Sequence, residues 1–233
     1  MSAMLDTVEV VTGGLFPSNA YICSGPTASL CLLIDPGINE AAIDRRLTTR
    51  GLQPSYIICT HGHFDHAGGA AYFQQKYGCP VLLHAADMKT LRASNFLLIA
   101  MRLPRRIVLP HVTPIDGAGI TLIDGAGVTL TLGGARIRVL HTPGHTPGSC
   151  IIEIGHAVFT GDTLYRTGVG LAGLPGENAG ALRASILALW DTLPTDAVIY
   201  PGHGPAATLR EIRASNHALA KFLRPSPVFA GGS

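Results

Sequence analysis

Three histidines and one aspartate fall within six residues of this chain, directly after a short apolar run. The run is Tyr56–Cys59, and the segment behind it reads His61-Gly62-His63-Phe64-Asp65-His66. Neutral imidazole nitrogens and carboxylate oxygens are common ligands of zinc-type cations. Four such side chains on so short a loop cannot all reach one tetrahedral ion comfortably, but they can serve two adjacent ions if the rest of the chain supplies further ligands.

Three later loops repeat one form: a short apolar run, a glycine or proline turn, and a ligand-type residue. These loops are His141–Ser149, Phe159–Thr163 and Tyr200–Pro205. Their ligand-type residues are His145, Asp162 and His203. Ligands at strand ends are held rigidly, and glycine lets the backbone come close to an ion. The four loops together predict a metal site more strongly than any of them does alone.

The ordered set of ligand-type residues in these four loops resembles the metallo-β-lactamase superfamily and, within it, the glyoxalase II-like hydrolases. The resemblance extends from about Leu5 to Phe222. It implies an α/β fold, a four-layer αββα sandwich in a single domain, with a dinuclear site along one sheet edge. It also implies two divalent metal ions, with zinc as the first expectation and iron or manganese as alternatives.

The resemblance also implies a role for each ligand-type residue. In the family pattern the first metal ion is held by His61, His63 and His145. The second ion is held by Asp65, His66 and His203, and Asp162 bridges both. Class B β-lactamases generally lack this bridging aspartate, so its presence favours substrates other than β-lactam antibiotics.

Two ions that share a hydroxide would solve the problem of making a nucleophile at neutral pH, because metal binding lowers the pKa of water from about 15.7 towards 7. We expect Asp65 to orient this bridging hydroxide and take up its proton, so Asp65 is the candidate catalytic residue. No serine or cysteine nucleophile is required. His141 is expected to fix its loop by a hydrogen bond. Ordinary packing or surface roles are expected for His84, His111, His156 and His217.

Length and composition favour one well-cored domain, which we place at residues 1–224, followed by a flexible tail at 225–233. The chain has 233 residues, of which 47% are hydrophobic and 14% charged. A formal net charge of +2 gives no indication of nucleic acid or an anionic membrane as a partner. The expected partner is a small-molecule substrate, and the expected assembly is a monomer or a homodimer.

The cysteines and the N-terminal residues favour a cytoplasmic protein. The chain has 5 cysteines, none in a Cys-x-x-Cys pair, and they are predicted to be reduced core residues. The segment Met1–Val11 has no signal-peptide pattern. The apolar stretch Phe96–Met101 is far shorter than the roughly 20 residues that span a bilayer.

Hydrophobic periodicity predicts several elements around the ligand loops. Helices are predicted at Glu40–Arg50, Ala70–Tyr77, Asn178–Thr192 and Thr208–Leu223. Early strands are predicted at Val8–Val11, Ala20–Cys23, Leu30–Ile34, Tyr56–Cys59 and Val81–Leu83. Asn39 is expected to cap the first helix and Gly51 to end it.

Two further segments stand apart from the family pattern. Ile115–Leu122 is followed by a near-copy at Ile123–Leu130, which predicts an inserted hairpin with a structural role over residues 115–130. The apolar segment 88–112 admits three interpretations, namely a core-facing helix, an apolar lid over the site, or a dimer contact.

The resemblance makes hydrolysis of a hydroxyacylglutathione-type thioester the first functional hypothesis. Many family members carry a basic residue after Gly-x-Gly, but here Gly168-Val169-Gly170 is followed by Leu171. Arg166 is the one basic group beside the motif, so Tyr165 and Arg166 are the candidate substrate contacts. Recognising a carboxylate without a positioned arginine is difficult, which weakens the glutathione part of the hypothesis.

Three other functions remain open. A lactonase or broad esterase would use segment 88–112 as a hydrophobic lid and favour long acyl chains. A mononuclear iron dioxygenase acting on glutathione persulfide needs only part of the ligand set, and it would hold one iron rather than two zinc-type ions. A non-catalytic binding protein with a relic site is disfavoured by the intact ligand set.

Overall fold

The computed structural model describes residues 7–14, 16–25, 29–115, 128–132 and 135–224, which form two six-stranded β-sheets. The first sheet runs in chain order through β1 Thr7–Gly13, β2 Ser18–Ser24, β3 Leu30–Ile34, β4 Gln53–Ile58, β5 Val81–Leu83 and β6 Val112–Pro114. The second sheet consists of β7 Val128–Leu132, β8 Ala135–His141, β9 Cys150–Ile154, β10 Ala157–Gly161, β11 Val198–Pro201 and β12 Ala207–Thr208.

Strand directions bring several loops to one edge of the sandwich. Strands β3 to β6 are parallel, whereas β1, β2 and β3 pair antiparallel. In the second sheet β10 and β11 are parallel, and the other neighbouring pairs are antiparallel. Parallel strands end at the same sheet edge, so the loops after β3 and β4 lie together, as do those after β10 and β11.

Seven helices in the described residues cover the outer faces of the two sheets. They are α1 Glu40–Arg50, α2 Phe64–Ala67, α3 Ala70–Tyr77, α4 Met88–Ala100, α5 Ala179–Thr192, α6 Leu209–Ser215 and α7 His217–Leu223. Buried side chains such as Leu32, Ile58 and Phe159 fill the space between the sheets. The helices contribute separate outer clusters, with Phe73 on one side and Ile186 on the other. The predicted single-domain αββα sandwich is therefore confirmed.

The predicted helix Thr208–Leu223 is wrong in one respect, because Asn216 divides it into α6 and α7. The Asn216 side chain accepts a hydrogen bond from the Leu219 amide at 3.0 Å and so caps α7. Its amide nitrogen donates to the carbonyls of Tyr165 and Gly168, at 3.2 and 2.9 Å. The Asn216 side chain thus caps α7 with its oxygen and binds a neighbouring loop with its nitrogen. These contacts stabilise the break between α6 and α7, which the apolar periodicity of the sequence does not reveal.

The first helix has its predicted bounds, but the predicted cap at its N-terminus lacks a side-chain hydrogen bond. Gly51 adopts the left-handed conformation, with φ 64°, and closes α1 through hydrogen bonds to the Leu47 and Thr48 carbonyls. Asn39 occupies the N-cap position, yet its side chain makes no cap hydrogen bond. The expected Asn39 cap is therefore present in position only.

The 88–112 segment begins with α4, and the faces of this helix have different environments. Leu91 and Leu98 are buried in the core of the first sheet, which agrees with the core-helix interpretation. Phe96 and Ile99 are 76% and 71% exposed on the opposite side. Of the 115–130 repeat, residues 116–127 lie outside the described residues, as does the 225–233 tail.

All five cysteines are buried, as their apolar contexts predict. No helix among the described residues has the length and apolarity needed to cross a bilayer.

Candidate metal centre

The seven predicted ligand residues come together at one edge of the sandwich, carried by four loops. The loop after β4 leads through α2 and carries four of them, and single residues follow β8, β10 and β11. Their positions in the chain are His61, His63, Asp65, His66, His145, Asp162 and His203. Six of these side chains are no more than 13% exposed, whereas His203 is 32% exposed.

One group of three histidines is formed by His61, His63 and His145, whose candidate ligand atoms all lie within 4.8 Å of one another. Nδ1 of His63 is 3.0 Å from Nε2 of His145. The three rings are nearly perpendicular, with centroids 4.8 to 4.9 Å apart. Three imidazoles that converge in this way have the donor chemistry of a zinc-type site.

A second group is formed by Asp65, His66 and His203. Nε2 of His66 is 3.3 Å from Nε2 of His203. Oδ2 of Asp65 lies 3.6 Å from Nε2 of His66 and 3.4 Å from Nε2 of His203. Two imidazoles and a carboxylate therefore face a common point.

Asp162 lies between the two groups. Its Oδ2 is 3.3 Å from Nε2 of His145 in the first group and 3.6 Å from Nε2 of His203 in the second. Its Oδ1 is 3.4 Å from Nε2 of His66. One carboxylate thus reaches both sets of imidazoles.

Two buried atoms of the cluster indicate that a cation fits here. Nε2 of His61 and Oδ1 of Asp162 have no hydrogen-bond partner among the described residues. An unsatisfied buried polar atom costs about 1–3 kcal/mol. A divalent cation would satisfy both atoms, and the surrounding set of five imidazoles and two carboxylates is chemically suited to such ions.

Hydrogen bonds from the far side of each ring fix the tautomers of two histidines. Nδ1 of His145 lies 2.9 Å from the Gly170 carbonyl, and Nδ1 of His203 lies 2.8 Å from the Pro17 carbonyl. Since a carbonyl only accepts, the proton is on Nδ1 in each ring. Nε2 then presents its lone pair to the centre, as metal-binding histidines do.

Burial and charge set the protonation states in the first group. Burial, with His145 adding to it, lowers the pKa of His63 to about 4. Burial and the neighbouring histidines also hold the pKa of His61 well below its usual range. Both rings are therefore neutral near pH 7 and retain the lone pair that a metal ion needs.

The second group is dominated by carboxylates. Burial alone would lower the pKa of His66, but Asp162, Asp65 and Asp35 outweigh it and raise this pKa to about 10. Burial would likewise raise the pKa of Asp65, yet His66 and His203 lower it to about 2. The carboxylates that favour a proton on His66 create a negative potential that favours a cation at the same place.

Asp35 belongs to the site but was missed by sequence reasoning. It follows β3, has φ 48° and is 1% exposed. Its Oδ1 accepts a 2.6 Å hydrogen bond from the Thr60 amide, and its Oδ2 accepts one of 2.7 Å from the Thr60 hydroxyl. In Ile34-Asp35-Pro36-Gly37 an acid directly follows an apolar run, with the proline and glycine after it rather than before it, so a related signal was present in the sequence.

Asp87 was also missed, although it joins two of the ligand loops. It is fully buried and accepts hydrogen bonds from the Gly62 and Gly148 amides, both at 2.7 Å, and from the Thr146 hydroxyl at 2.8 Å. These contacts fasten the His61 loop to the His145 loop. Asp87 lies in a 3-10 turn after β5, and no motif in the sequence marks it.

The loop that carries His203 is held by β2. The Asn19 side-chain amide donates to the Pro201 and Gly204 carbonyls, at 3.0 and 2.8 Å. The Tyr21 hydroxyl donates to the same Pro201 carbonyl at 2.6 Å. Between these residues Gly202 passes so close to the cluster that a Cβ would lie 2.2 Å from Oδ1 of Asp162.

The cluster forms the floor of a cavity of about 370 Å³. Its polar lining residues are His63, Asp65, His145, Asp162, Tyr165 and His203. The walls are apolar and consist of Phe16, Phe64, Leu97, Met101, Val169, Gly170, Leu171, Ala172 and Leu174. Of the two candidate substrate contacts, Tyr165 lies in this lining, whereas Arg166 is exposed and does not belong to it.

The remaining histidines have other contacts. Nε2 of His141 donates to the Pro147 carbonyl at 2.8 Å, the loop-fixing hydrogen bond expected for it. Its ring stacks on His84 with centroids 4.1 Å apart. None of the residues assigned ordinary roles lines the cavity; these are His84, His111, His156 and His217.

Comparison with known proteins agrees with this architecture. The family model described as the metallo-beta-lactamase superfamily matches residues 13–203. The probable metallo-hydrolase YqgX of Bacillus subtilis is 34% identical over 212 residues, covering 90% of this chain and 95% of its own length. A hydroxyacylglutathione hydrolase of Anaeromyxobacter dehalogenans is 33% identical over 175 residues, covering 75% of this chain but 57% of that protein.

Two solved structures are similar over nearly the whole chain. The crystal structure of TTHA1623 in a di-iron-bound form has a TM-score of 0.76 and 34% identity, covering 90% of this chain and 99% of the other. That of the BLEG-1 B3 metallo-beta-lactamase has a TM-score of 0.77 and 29% identity, covering 91% and 99%. With a family model that matches most of its length and a relative that is 34% identical over 90% of it, the chain belongs to the metallo-beta-lactamase superfamily.

Proposed function

We propose that this protein is a dinuclear metal-dependent hydrolase that cleaves a thioester or a related ester. The observation that carries the proposal is Asp162, whose carboxylate lies within 3.6 Å of histidines in both groups. Three imidazoles would hold one ion, and the second group would hold the other. The first set is His61, His63 and His145, the second is Asp65, His66 and His203, and Asp162 would contact both ions.

When bound, divalent ions lower the pKa of water from about 15.7 towards 7 and polarise a carbonyl oxygen. The residues of the chain supply the rest of the reaction. Asp65 lines the cavity and is a carboxylate at neutral pH, so it can accept a hydrogen bond from a water on the floor and orient it. Tyr165 lies in the same lining, where burial and Asp162 raise its pKa well above the usual range, so its hydroxyl stays protonated and can donate to substrate.

A protein nucleophile is not part of the proposal. Cys59 lies closest in sequence to the ligand loop, but it is 1% exposed. Burial raises the pKa of its thiol well above the ordinary value, so it is not ionised at neutral pH.

The donor atoms of the site suit more than one kind of metal ion. Imidazole and carboxylate ligands suit zinc, iron and manganese. Zinc is our first expectation, and iron is a direct alternative because the similar TTHA1623 structure is a di-iron-bound form. Two ions per chain would support a hydrolase, whereas one iron per chain with oxygen consumption would support the dioxygenase alternative.

Thioester cleavage is supported by the likeness to the hydroxyacylglutathione hydrolase of Anaeromyxobacter dehalogenans, and this chain spans about half of that protein. Ester or lactone hydrolysis is the second candidate, and the apolar walls of the cavity favour it. The likeness to BLEG-1 makes a β-lactam substrate a necessary comparison.

A substrate panel on metal-quantified protein tests the proposal. S-lactoylglutathione, acyl lactones and a chromogenic cephalosporin are assayed with the wild type, His63→Ala, Asp65→Ala and the distant control His217→Ala. We expect hydrolysis of a thioester or ester and a loss of at least about 100-fold in the two site variants with unchanged circular dichroism. Activity equal to wild type in both site variants, or turnover of the cephalosporin alone, would remove the proposal.

A further inference from the structure

Resting on the proposed function, we infer that the enzyme selects uncharged, apolar substrates. The class is short- to medium-chain acyl thioesters or esters whose leaving group is neutral. Thioesters whose leaving group carries carboxylates, as glutathione does, should be poorer substrates for the same site. The inference rests on the walls of the cavity rather than on its metal-binding floor.

The first wall comes from α4 and its C-terminal end. Leu97 lies one helical turn before Met101, and both side chains line the cavity. Leu98, between them, is fully buried in the core, which anchors the helix in this orientation. The 88–112 segment therefore contributes both a core helix and an apolar side of the cavity.

A second wall comes from the loop after Asp162. Val169, Leu171 and Leu174 also line the cavity, so its apolar lining comes from two separate segments of the chain. Phe16 and Phe64 complete the lining and contact each other edge to face, with ring centroids 5.7 Å apart. Apolar walls around a polar floor favour an acyl chain that leads away from a reacting carbonyl.

No lysine or arginine lines the cavity within the described ranges. The stretches outside those ranges contain no lysine, arginine or histidine either; they are residues 1–6, 15, 26–28, 116–127, 133–134 and 225–233. Arg105 is paired with Glu40, whose two carboxylate oxygens lie 2.5 and 2.7 Å from its Nη2. Arg166 is exposed and does not belong to the lining.

The loop of the second wall adds a further negative charge. Oε1 of Glu177 lies 3.9 Å from Nδ1 of His145. The same carboxylate accepts hydrogen bonds from the Ala172 and Gly173 amides, at 2.7 and 2.9 Å, and so holds the loop in place. A substrate carboxylate held between these walls, away from the metal-binding floor, would lose its hydration without gaining a lysine or arginine partner, which is unfavourable.

The size of the cavity limits the substrate. At about 370 Å³ it is near the lower end of small-molecule sites, which occupy about 300–1,000 Å³. Each methylene buried against the walls should increase kcat/KM by about fourfold until the cavity is filled.

Matched thioesters test the inference directly. Acetyl, butyryl, hexanoyl and octanoyl groups are each placed on N-acetylcysteamine, which is neutral, and on glutathione, which carries two carboxylates. We expect kcat/KM to rise with chain length in the neutral series. At each length the neutral thioester should exceed its glutathione counterpart by about tenfold or more.

A charge placed in the wall provides the complementary test. Leu171→Arg should raise the kcat/KM ratio of hexanoylglutathione to the neutral hexanoyl thioester by at least about fivefold, because it supplies the missing cationic partner. The matched control is Leu187→Arg, which alters an exposed leucine on α5 outside the cavity and should leave the ratio unchanged. If Leu171→Arg does not fold, Leu97→Ala is used instead. This variant removes apolar surface from the cavity and should reduce the dependence of kcat/KM on acyl chain length.

Binding separates failure of the inference from failure of the proposed function. S-hexylglutathione and the S-hexyl thioether of N-acetylcysteamine are not hydrolysed, and calorimetry on metal-loaded protein compares their affinities. Tighter binding of the neutral thioether supports the inference even if no ester is turned over, a result that would remove the proposed function alone. Equal or tighter binding of S-hexylglutathione, or a preference for glutathione thioesters in turnover, overturns the inference.

Discussion

Nδ1 of His66 lies 3.0 Å from Oδ2 of Asp35, and both side chains are almost completely buried. The carboxylate holds the ring so that its other nitrogen faces Asp65, Asp162 and His203. Asp35 in turn is held by the Thr60 amide and hydroxyl. A short chain of hydrogen bonds therefore connects β3 to the second ligand group.

Asp35→Asn should weaken the second metal position more than the first. The substitution keeps the shape but removes the charge that orients His66, and loss of such a partner typically costs about 10–100-fold in metal affinity or activity. Metal content after dialysis should fall from two ions per chain towards one. The control is Asp44→Asn, which removes the charge of a surface pair with Lys76. Equal metal content in the two variants would contradict the assigned role.

Asp87→Ala should destabilise the folded protein strongly. It leaves the buried amides of Gly62 and Gly148 without their acceptor, at a cost of about 1–3 kcal/mol for each, and leaves the Thr146 hydroxyl only its contact with the Ser149 hydroxyl, at 2.7 Å. Urea unfolding of the metal-free protein should show a loss of roughly 3–5 kcal/mol. Asp191→Ala, at an exposed position of α5, should change the free energy of unfolding by no more than about 0.5 kcal/mol. Similar midpoints for both variants would disprove the fastening role.

Gly202→Ala should disrupt the centre without a change of charge. The added methyl would lie 2.2 Å from Oδ1 of Asp162 and 2.6 Å from Cε1 of His66, so one or both side chains must move. We expect hydrolysis to fall by about 100-fold, since small displacements at a reacting centre have effects of this size. Gly25→Ala is the matched control, because its Cβ would meet nothing within 4 Å. Retained metal content and activity in Gly202→Ala would show that the approach is not tight in solution.

Acidification should destabilise the metal-free protein between pH 6.5 and 4. His63 has a folded-state pKa of about 4, whereas an unfolded histidine has a pKa of about 6.5. The unfolded state therefore binds more protons in this window, and stability falls as the pH falls, by roughly 3 kcal/mol from this residue. The pKa of His61 is also lowered in the folded state, so this residue likewise reduces the stability as the pH falls.

The other shifted groups act outside that window. His66, with a folded pKa of about 10, contributes stability that is complete below pH 6.5 and is lost as the pH rises towards 10. Asp65 stabilises the folded state above its ordinary pKa, and this stabilisation is lost only as the pH falls from 3.8 towards 2. Urea midpoints of chelated protein at pH 4.5, 5.5 and 6.5 measure the effect, and His63→Gln should flatten it. A flat profile in the wild type would contradict the buried, neutral state of His63.

The chemistry of the ligand residues could be predicted from the sequence, because it depends on local order. A ligand-type residue directly after an apolar run is visible in a few letters, as at His61 and Asp162. The αββα arrangement followed from the family resemblance that these loops carry. Two helix boundaries also coincide with capping residues in the sequence: Gly51 ends α1, and Asn178 is the N-cap of α5.

Only the tertiary structure decided which distant side chains serve those ligands and what surrounds them. Asp87 reaches the Gly62 and Gly148 amides across 25 and 61 positions of sequence, and no local pattern records such a contact. The two faces of α4 are similarly apolar in sequence, yet Leu98 enters the core and Leu97 faces the cavity. The sequence determines which ligand-type side chains follow each strand. The packing of the two sheets determines which of these side chains come into contact.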